Sequence, residues 1–564
     1  MRFSKLVPLF IIIALSSPVS ALQVTKELAP GVTLVQDINT DTKPLIVNIL
    51  KIDPANPSVH IKAAIGQDVV FTDTATKGRE TISSITGRKS ALAGVNADYF
   101  PFTGDPLGAC IVDGELISEP SMNRVMFGLL KNQRVIFDNP ILNAKLIFNS
   151  GINRQIDGIN RIRETNQVIV YTEAFGATTQ NKYKATDVIA VSDNLPVQIG
   201  KPMRFMIKEV LSDAINTPIP KGGVIISAGG AAGDFIKANA KVGDEISMRF
   251  DFYSPNGCDW TLAEQAVGGG PWLLKDGQIS IDYKDEEFKR DFSTTTHPRT
   301  ALGLTALNEL LLVTVDGRQP MSKGMSLTDL ANLMKQLGAR NAINLDGGGS
   351  TTMSIKGAVI NSPSEGDERP VADALLVHAD QKPVAELPEL SISGFGEQTV
   401  AGEPAQLFLT WGDDAQMLTE DQLAHVVWGT TNGIGFINQK GWFMPMRAKT
   451  GTVTAIYGSQ KVCAKVTVVT GVTAKLNIDV RPNGVDPLLA RVTVTVTDTS
   501  GNLLPDREVK LVITGGKADA ETGTTNAAGE FVTGLTWEEN AGQRSIKASV
   551  GNATAEMAVP VTVQ

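Results

Sequence analysis

The chain has 564 residues, too many for one ordinary domain, and a formal charge of −9 that argues against a nucleic-acid partner, which calls for a basic face. Its 3 cysteines exclude a dense disulfide framework, and its 4 histidines stand in no zinc-binding spacing. Beyond the N-terminal segment no stretch is long and apolar enough to cross a bilayer.

Residues 1–21 read as a secretory signal, with Arg2 and Lys5 as the basic start, an apolar centre from Leu6 to Leu15, and Val19-Ser20-Ala21 as the cleavage site. The mature protein is therefore expected to be exported, to the periplasm, the cell surface or the medium, with no transmembrane anchor. Residues 22–138 read as strands and turns, with a short helix at 81–88 ahead of Gly94-Val95-Asn96-Ala97-Asp98-Tyr99-Phe100. From 140 to 255 the pattern is that of a β-rich insertion, with strands at 168–171, 188–191 and 222–230. On either side of it, Gly108 to Leu116 and Gly270 to Gln278 each read as a strand ending in an Asp-Gly hairpin turn, which makes Asp113 and Asp276 turn formers. Cys110 and Cys258 could pair in an oxidising compartment, whereas Cys463 lies in an alternating strand and reads as a small core residue.

Downstream, Leu310-Leu311-Leu312-Val313-Thr314-Val315 is an apolar run of buried-strand type that ends at Asp316-Gly317-Arg318. Ser326 can cap a helix with Asp329 three residues on, Leu327, Leu330, Leu333, Met334 and Leu337 share one face, and Gly338 ends it. Ala342-Ile343-Asn344-Leu345 returns as a strand and runs into Asp346-Gly347-Gly348-Gly349-Ser350-Thr351-Thr352. Strand, helix and strand of this length predict a right-handed parallel crossover, with both Asp-Gly loops at the carboxyl ends of neighbouring strands, where open α/β sheets put their ligands. Three successive glycines let backbone approach a ligand, consecutive amides can form an anion-binding nest, and Arg318 offers a fork matched to phosphate or carboxylate. Asp316 and Asp346 can serve as acid, base, nucleophile or ligands of a hard cation.

After residue 380 the character changes to a proline-containing connector and two stretches of short alternating strands. The predicted architecture is multidomain: an α+β (mixed α/β) catalytic domain at 22–380 with its β-rich insertion, then two all-β Ig-like sandwiches at 386–470 and 471–564. The tail is expected to be separable from catalysis.

Taken together, Gly94 to Phe100, Pro106-Leu107-Gly108, Gly268-Gly269-Gly270-Pro271, His297-Pro298-Arg299-Thr300-Ala301-Leu302-Gly303, Asp316-Gly317-Arg318, Asn344 to Thr352, Asn361 and Arg369 to Leu375 resemble the phosphodiester glycosidase family. The last unit is similar to the Ig-like repeats of invasin-type bacterial adhesins. The resemblance implies an enzyme that hydrolyses a sugar-1-phosphodiester, such as an N-acetylglucosamine-1-phosphate linkage, in an envelope or extracellular glycan. In such a substrate the group expelled is a phosphate monoester, which needs charge stabilisation more than a proton. The carboxylates Asp98, Asp316 and Asp346 are the candidates for the sugar side, or for binding a calcium or magnesium ion if one takes part. His297 is either a general acid/base or a structural partner of the Pro-Arg turn. Asn96, Arg299, Arg318, Asn344, Gly347, Gly348, Gly349, Ser350 and Thr351 are the candidates for substrate and phosphate binding. Two other classes stay open on sequence: an adhesive, carbohydrate-binding surface protein with an inactive glycosidase-like domain, and a metal-dependent phosphodiesterase that breaks P–O.

Overall fold

A computed structural model describes residues 21–40, 43–121 and 123–560; the expected signal lies outside these residues except for Ala21. The protein is almost entirely β, with 44 strands and five short α-helices among the described residues, so the catalytic part is β-rich and not the α+β domain expected. No helix among the described residues is long and apolar enough to cross a membrane.

The catalytic part is built on two facing sheets. The first is wholly antiparallel and runs, edge to edge, Ala21–Ala29, Val32–Asn39, Leu45–Ile52, Leu310–Val315, Arg299–Thr305, Ala339–Asn344, Trp272–Lys275 and Gln278–Ile279. The second orders Ala358–Val359, Met353–Ile355, Ala93–Asn96, Asp373–Ala379 and Val59–Ile65, again antiparallel. The period-two alternation of Leu310–Val315 decides which residue meets which layer. Leu310 and Leu312 point into the cluster shared with Val95, Leu375 and Val377 of the second sheet. Leu311 and Val313 point to the opposite side, where Leu330 and Met334 of helix Leu327–Gln336 cover them.

The expected crossover is present with one change. Leu310–Val315 and Ala339–Asn344 run parallel to each other and the helix connects them, but Arg299–Thr305 lies between them, antiparallel to both. That strand precedes the unit in the chain and fills the gap a pure βαβ unit would have closed. The helix ends are as read: the Ser326 side chain accepts from the Asp329 amide in a capping box, and Gly338 takes a positive φ of 87°.

The insertion is an eight-stranded sheet carrying helix Gly230–Asn239, and its apolar cluster runs on into Ile111, Leu116 and Ala266 of a five-stranded sheet beside the two facing sheets. Asp113-Gly114 and Asp276-Gly277 are turns with positive φ at both residues, as hairpins of this kind require. All three cysteines are free thiols.

Two β-units follow. The first is not detached: Val427 and Ile456 are buried in the same apolar cluster as Leu34, Leu50 and Leu375 of the catalytic sandwich. Phe436 and Met446 pack with Ile38 and Ile46. The second has a core of its own, formed by Val492, Val494, Leu511 and Trp537 among others. The first unit therefore shares an apolar cluster with the preceding sheets, whereas the second does not.

Candidate active site

The site forms where strand ends from both sheets meet. Asn96, Val315 and Asn344 each close a strand, and the loops that follow carry Asp98, Asp316 and Asp346. Asp373 opens a strand at the same edge. The Asp346 amide donates to the Ala97 carbonyl at 2.9 Å, which ties the two sheets together at this point.

Asn96 is buried, and its amide group is fully committed. Nδ2 donates to the Asp346 carbonyl at 2.7 Å, while Oδ1 accepts from the Thr300 hydroxyl at 2.8 Å and the Thr352 amide at 3.1 Å. Asn344 likewise donates to the Tyr99 hydroxyl at 2.7 Å and to the Gly270 and Leu345 carbonyls. Tyr99 passes its own proton to Gly270 O at 2.7 Å. These two asparagines brace the loops from behind.

Asp98 lies 1% exposed beneath the loop. Its Oδ1 accepts from the Tyr99 amide at 2.7 Å and its Oδ2 from the Gly108 amide. A Cβ at Gly268 would stand 2.2 Å from Oδ2, so the glycine leaves the room the carboxyl occupies. Asp373 holds the Asp98 amide through Oδ1 at 2.8 Å, while its Oδ2 is buried with no partner. Burial raises both carboxyls; the Asp346 charge raises both further, and that of Asp98 adds to Asp373. Burial and the neighbouring charges therefore disfavour the state in which both carboxyls are ionised.

Asp316 is also buried, with Oδ1 accepting from Asn361 Nδ2 and Oδ2 from the Ser362 amide, both at 2.9 Å. Burial pushes its carboxyl up to about 7, against those two donors. Asp346 differs from the other two candidate acids because it is half-buried and reaches the surface of the site. Loss of solvent pushes it up to about 6, while a hydrogen bond from Ser350 and the Arg369 charge pull the other way.

The glycine-rich loop is shaped mainly by its own bonds. The Gly347 amide donates to Asp346 Oδ1, the Gly348 amide to Pro298 O, and the Ser350 and Thr351 amides back to Gly347 and Gly348 carbonyls. The side chains around the loop supply the positive charge. The guanidinium of Arg318, an exposed residue, lies 3.2 Å from where a Gly348 Cβ would stand, and its Nη2 donates to His297 Nδ1 at 3.2 Å. On the other side, the Arg369–Glu365 ion pair covers Gly349, and Arg369 Nη1 reaches the Ser350 hydroxyl at 3.3 Å.

His297 is held below its ordinary pKa by partial burial and the charges of Arg299 and Arg318, which makes it a neutral donor near pH 7 and a poor general acid. With Nδ1 accepting from Arg318, its proton belongs on Nε2. Arg299, expected to bind phosphate, is completely buried: Nε donates to Met325 O and Nη2 to Phe292 and Thr295 carbonyls. It holds the turn under His297 in place and stands behind the site.

Sequence reading gave no role to Asp373, Arg369 or Tyr99. All three stand in motifs it singled out, yet nothing local says that Asp373 will meet Asp98 from 275 residues away. The three acids offered as cation ligands do not combine into a cage: among the described residues no group of three or more His, Cys, Asp or Glu is arranged to hold a metal. Asp98 and Asp316 have both oxygens committed to N–H donors.

Parts of the chain match known proteins. Residues 185–378 match the family model described as phosphodiester glycosidase, and residues 470–564 match the bacterial Ig-like domain, group 1. An uncharacterized protein derived from the SPbeta prophage of Bacillus subtilis, YomE, is 35% identical over 119 residues, which is 20% of this chain and 17% of the relative. The N-acetylglucosamine-1-phosphodiester alpha-N-acetylglucosaminidase of Mus musculus is 33% identical over 110 residues, 18% of this chain and 21% of that protein. The chain thus spans about a fifth of the length of the curated relatives it matches. A hypothetical protein from Synechocystis shares the fold, with a TM-score of 0.53 at 21% identity over 64% of each chain. Residues 185–378 are thus matched as a phosphodiester glycosidase domain and residues 470–564 as a group 1 bacterial Ig-like domain.

Proposed function

We propose that the protein is an exported hydrolase that cleaves the glycosyl bond of a sugar-1-phosphodiester in an envelope or extracellular glycan, with N-acetylglucosamine-1-phosphate linkages as the first substrates to try. The observation that carries this reading is the placement of Asp346. It is the one candidate carboxylate at the surface of the site, and it opens a glycine loop flanked by Arg318 and Arg369.

In this reading the phosphate of the substrate sits over Gly348, beside the Arg369–Glu365 pair that covers Gly349. Arg318, Arg369 and the Nε2 proton of His297 stabilise the charge that grows as the phosphate monoester leaves. That leaving group is stable as an anion and departs without a strong acid. Asp346, ionised above about pH 6, stabilises the electron-poor anomeric carbon and meets it as base toward water or as nucleophile. Asp98 and Asp373, behind it, resist ionising together and so keep a second full negative charge away from the incoming phosphate. Asp316 anchors Asn361 and Ser362 and so fixes the loop that leads to Arg369.

Hydrolysis of a sugar-1-phosphodiester in oxygen-18 water tests the reaction type. Label is expected in the sugar and not in the phosphate; label in the phosphate would mean P–O cleavage and replace this reading. Arg318→Lys keeps the charge but loses the planar fork, and is expected to raise KM about tenfold with a smaller change in kcat. An unchanged KM would remove Arg318 from phosphate binding.

A further inference from the structure

Spacer modules normally meet their neighbours through a linker and little else, yet the first β-unit of the tail reaches the loop that carries Arg369. Arg447 Nη2 donates to the Ser364 carbonyl at 2.6 Å, and Lys449 Nζ pairs with Asp367 at 3.3 Å. Backbone contact backs up these bonds. Gly366 has a φ of 94°, and a Cβ on Gly433 would stand 2.5 Å from its Cα, so the two loops touch main chain to main chain. The far end of the same loop is tied to the site: Ser362 donates to Asp316 at 2.9 Å, and the Glu365–Arg369 pair lies over Gly349.

The grip is anchored elsewhere along the same face. The Gln439 amide donates to buried Gln36 at 2.9 Å, Lys356 Nζ to Gly458 O at 3.0 Å, and Lys26 Nζ to the Leu423 and Val426 carbonyls. Asn502 of the second unit in turn holds both the Met446 carbonyl and the Ala448 amide, one residue either side of Arg447. A rigid path of packed contacts thus runs from the tail to Ser364 and on to Arg369.

We infer that the first β-unit is a working part of the glycosidase, with Arg447 and Lys449 as positioning residues that hold the 363–369 loop, and through it Arg369, against the Asp346 loop. The inference rests on the reading of Asp346 and Arg369 given above. It also makes a claim independent of activity, that the loop is ordered by the tail. Arg369 approaches Asp346 and Ser350 only while the loop keeps its path, so loosening the loop weakens phosphate binding and removes a cation from beside Asp346.

The test uses the full-length protein with Arg447→Ala and Lys449→Ala combined, Arg447→Lys as the conservative variant, and Arg481→Ala in the second unit as a control. Amide hydrogen exchange across 363–369 and 347–351 is expected to quicken at least tenfold in the double variant and not in the control. On a small soluble sugar-1-phosphodiester, KM should rise five- to tenfold with kcat within twofold. The acid limb of kcat/KM should move to higher pH, because the Arg369 charge no longer favours ionised Asp346. Arg447→Lys, which can still donate to Ser364, should recover most of the loss. A folded double variant with wild-type exchange in both segments overturns the inference. So do an unchanged KM and acid limb despite quickened exchange, because the tail then orders the loop without serving the site. If the wild-type protein hydrolyses no such substrate, the reading of the site fails, and the exchange result alone decides whether the tail orders the loop. A double variant too unstable to measure passes the question to Arg447→Gln, which retains one donor of shorter reach and is judged by the same exchange criterion.

Discussion

Asp346→Asn is expected to lower kcat/KM by about three orders of magnitude while leaving the folding midpoint close to that of the wild type. The asparagine can keep its Oδ1 where the Gly347 amide donates at 2.9 Å, and the backbone bond to Ala97 does not involve the side chain. What is lost is the negative charge at the surface of the site, and with it the group that meets the anomeric carbon. The pH profile gives a second handle. Because Asp346 acts ionised and is pushed up to about 6, kcat/KM of the wild type should rise with pH through that value and then level. Arg369→Gln removes a cation that favours the ionised form, so the same limb should move to higher pH. An Asp346→Asn enzyme with a tenth or more of wild-type activity would take Asp346 out of the mechanism.

The features that sequence alone made legible are those whose causes are local. Ser326, Asp329 and Gly338 mark a helix because a cap, a capping box and a positive φ are settled within a few residues. Asp113-Gly114 and Asp276-Gly277 mark hairpins for the same reason. The fold class was not legible, because it depends on which strands become neighbours. Arg299–Thr305 slips between the two strands of the apparent βαβ unit, and no residue near the helix announces it. The site divides along the same line. The loops around Asp316 and Asp346 stood out by composition and that around Asp98 by the resemblance, but neither says which way a side chain points. Arg299 carries the ideal fork for a phosphate and directs it at three main-chain carbonyls. Arg369, in a phrase that reads as the lead-in to a strand, is the guanidinium that reaches the glycine loop.

Asp373→Asn should stabilise the protein, which is unusual for a buried polar residue in an intact network. Its Oδ1 accepts from the Asp98 amide at 2.8 Å, and an asparagine oxygen can do the same. Its Oδ2 has no partner, so the amide nitrogen replaces one unpaired atom with another and breaks nothing. What changes is charge. Burial first, and then the Asp98 and Asp346 charges, hold the Asp373 carboxyl well above the usual range. Below the ordinary carboxylate pKa of about 4, folded and unfolded chains both carry the proton and the group exerts no penalty. As pH rises from there, the unfolded chain releases the proton while the folded one retains it, so wild-type stability falls until the folded group also ionises. Asparagine has no such dependence. The variant should therefore match the wild type near pH 4 and exceed it near pH 8 by about 2 kcal/mol, the scale of a buried charged acceptor without a partner. Chemical denaturation at the two pH values measures the gap. In activity, the maximum of kcat/KM should stay within tenfold of wild type, because the asparagine keeps the acceptor for the Asp98 amide. A variant that is equally stable at both pH values would mean that Asp373 is not held protonated. A hundredfold loss at every pH in a well-folded variant would instead make Asp373 a participant in the chemistry, not only the acceptor that holds the Asp98 amide.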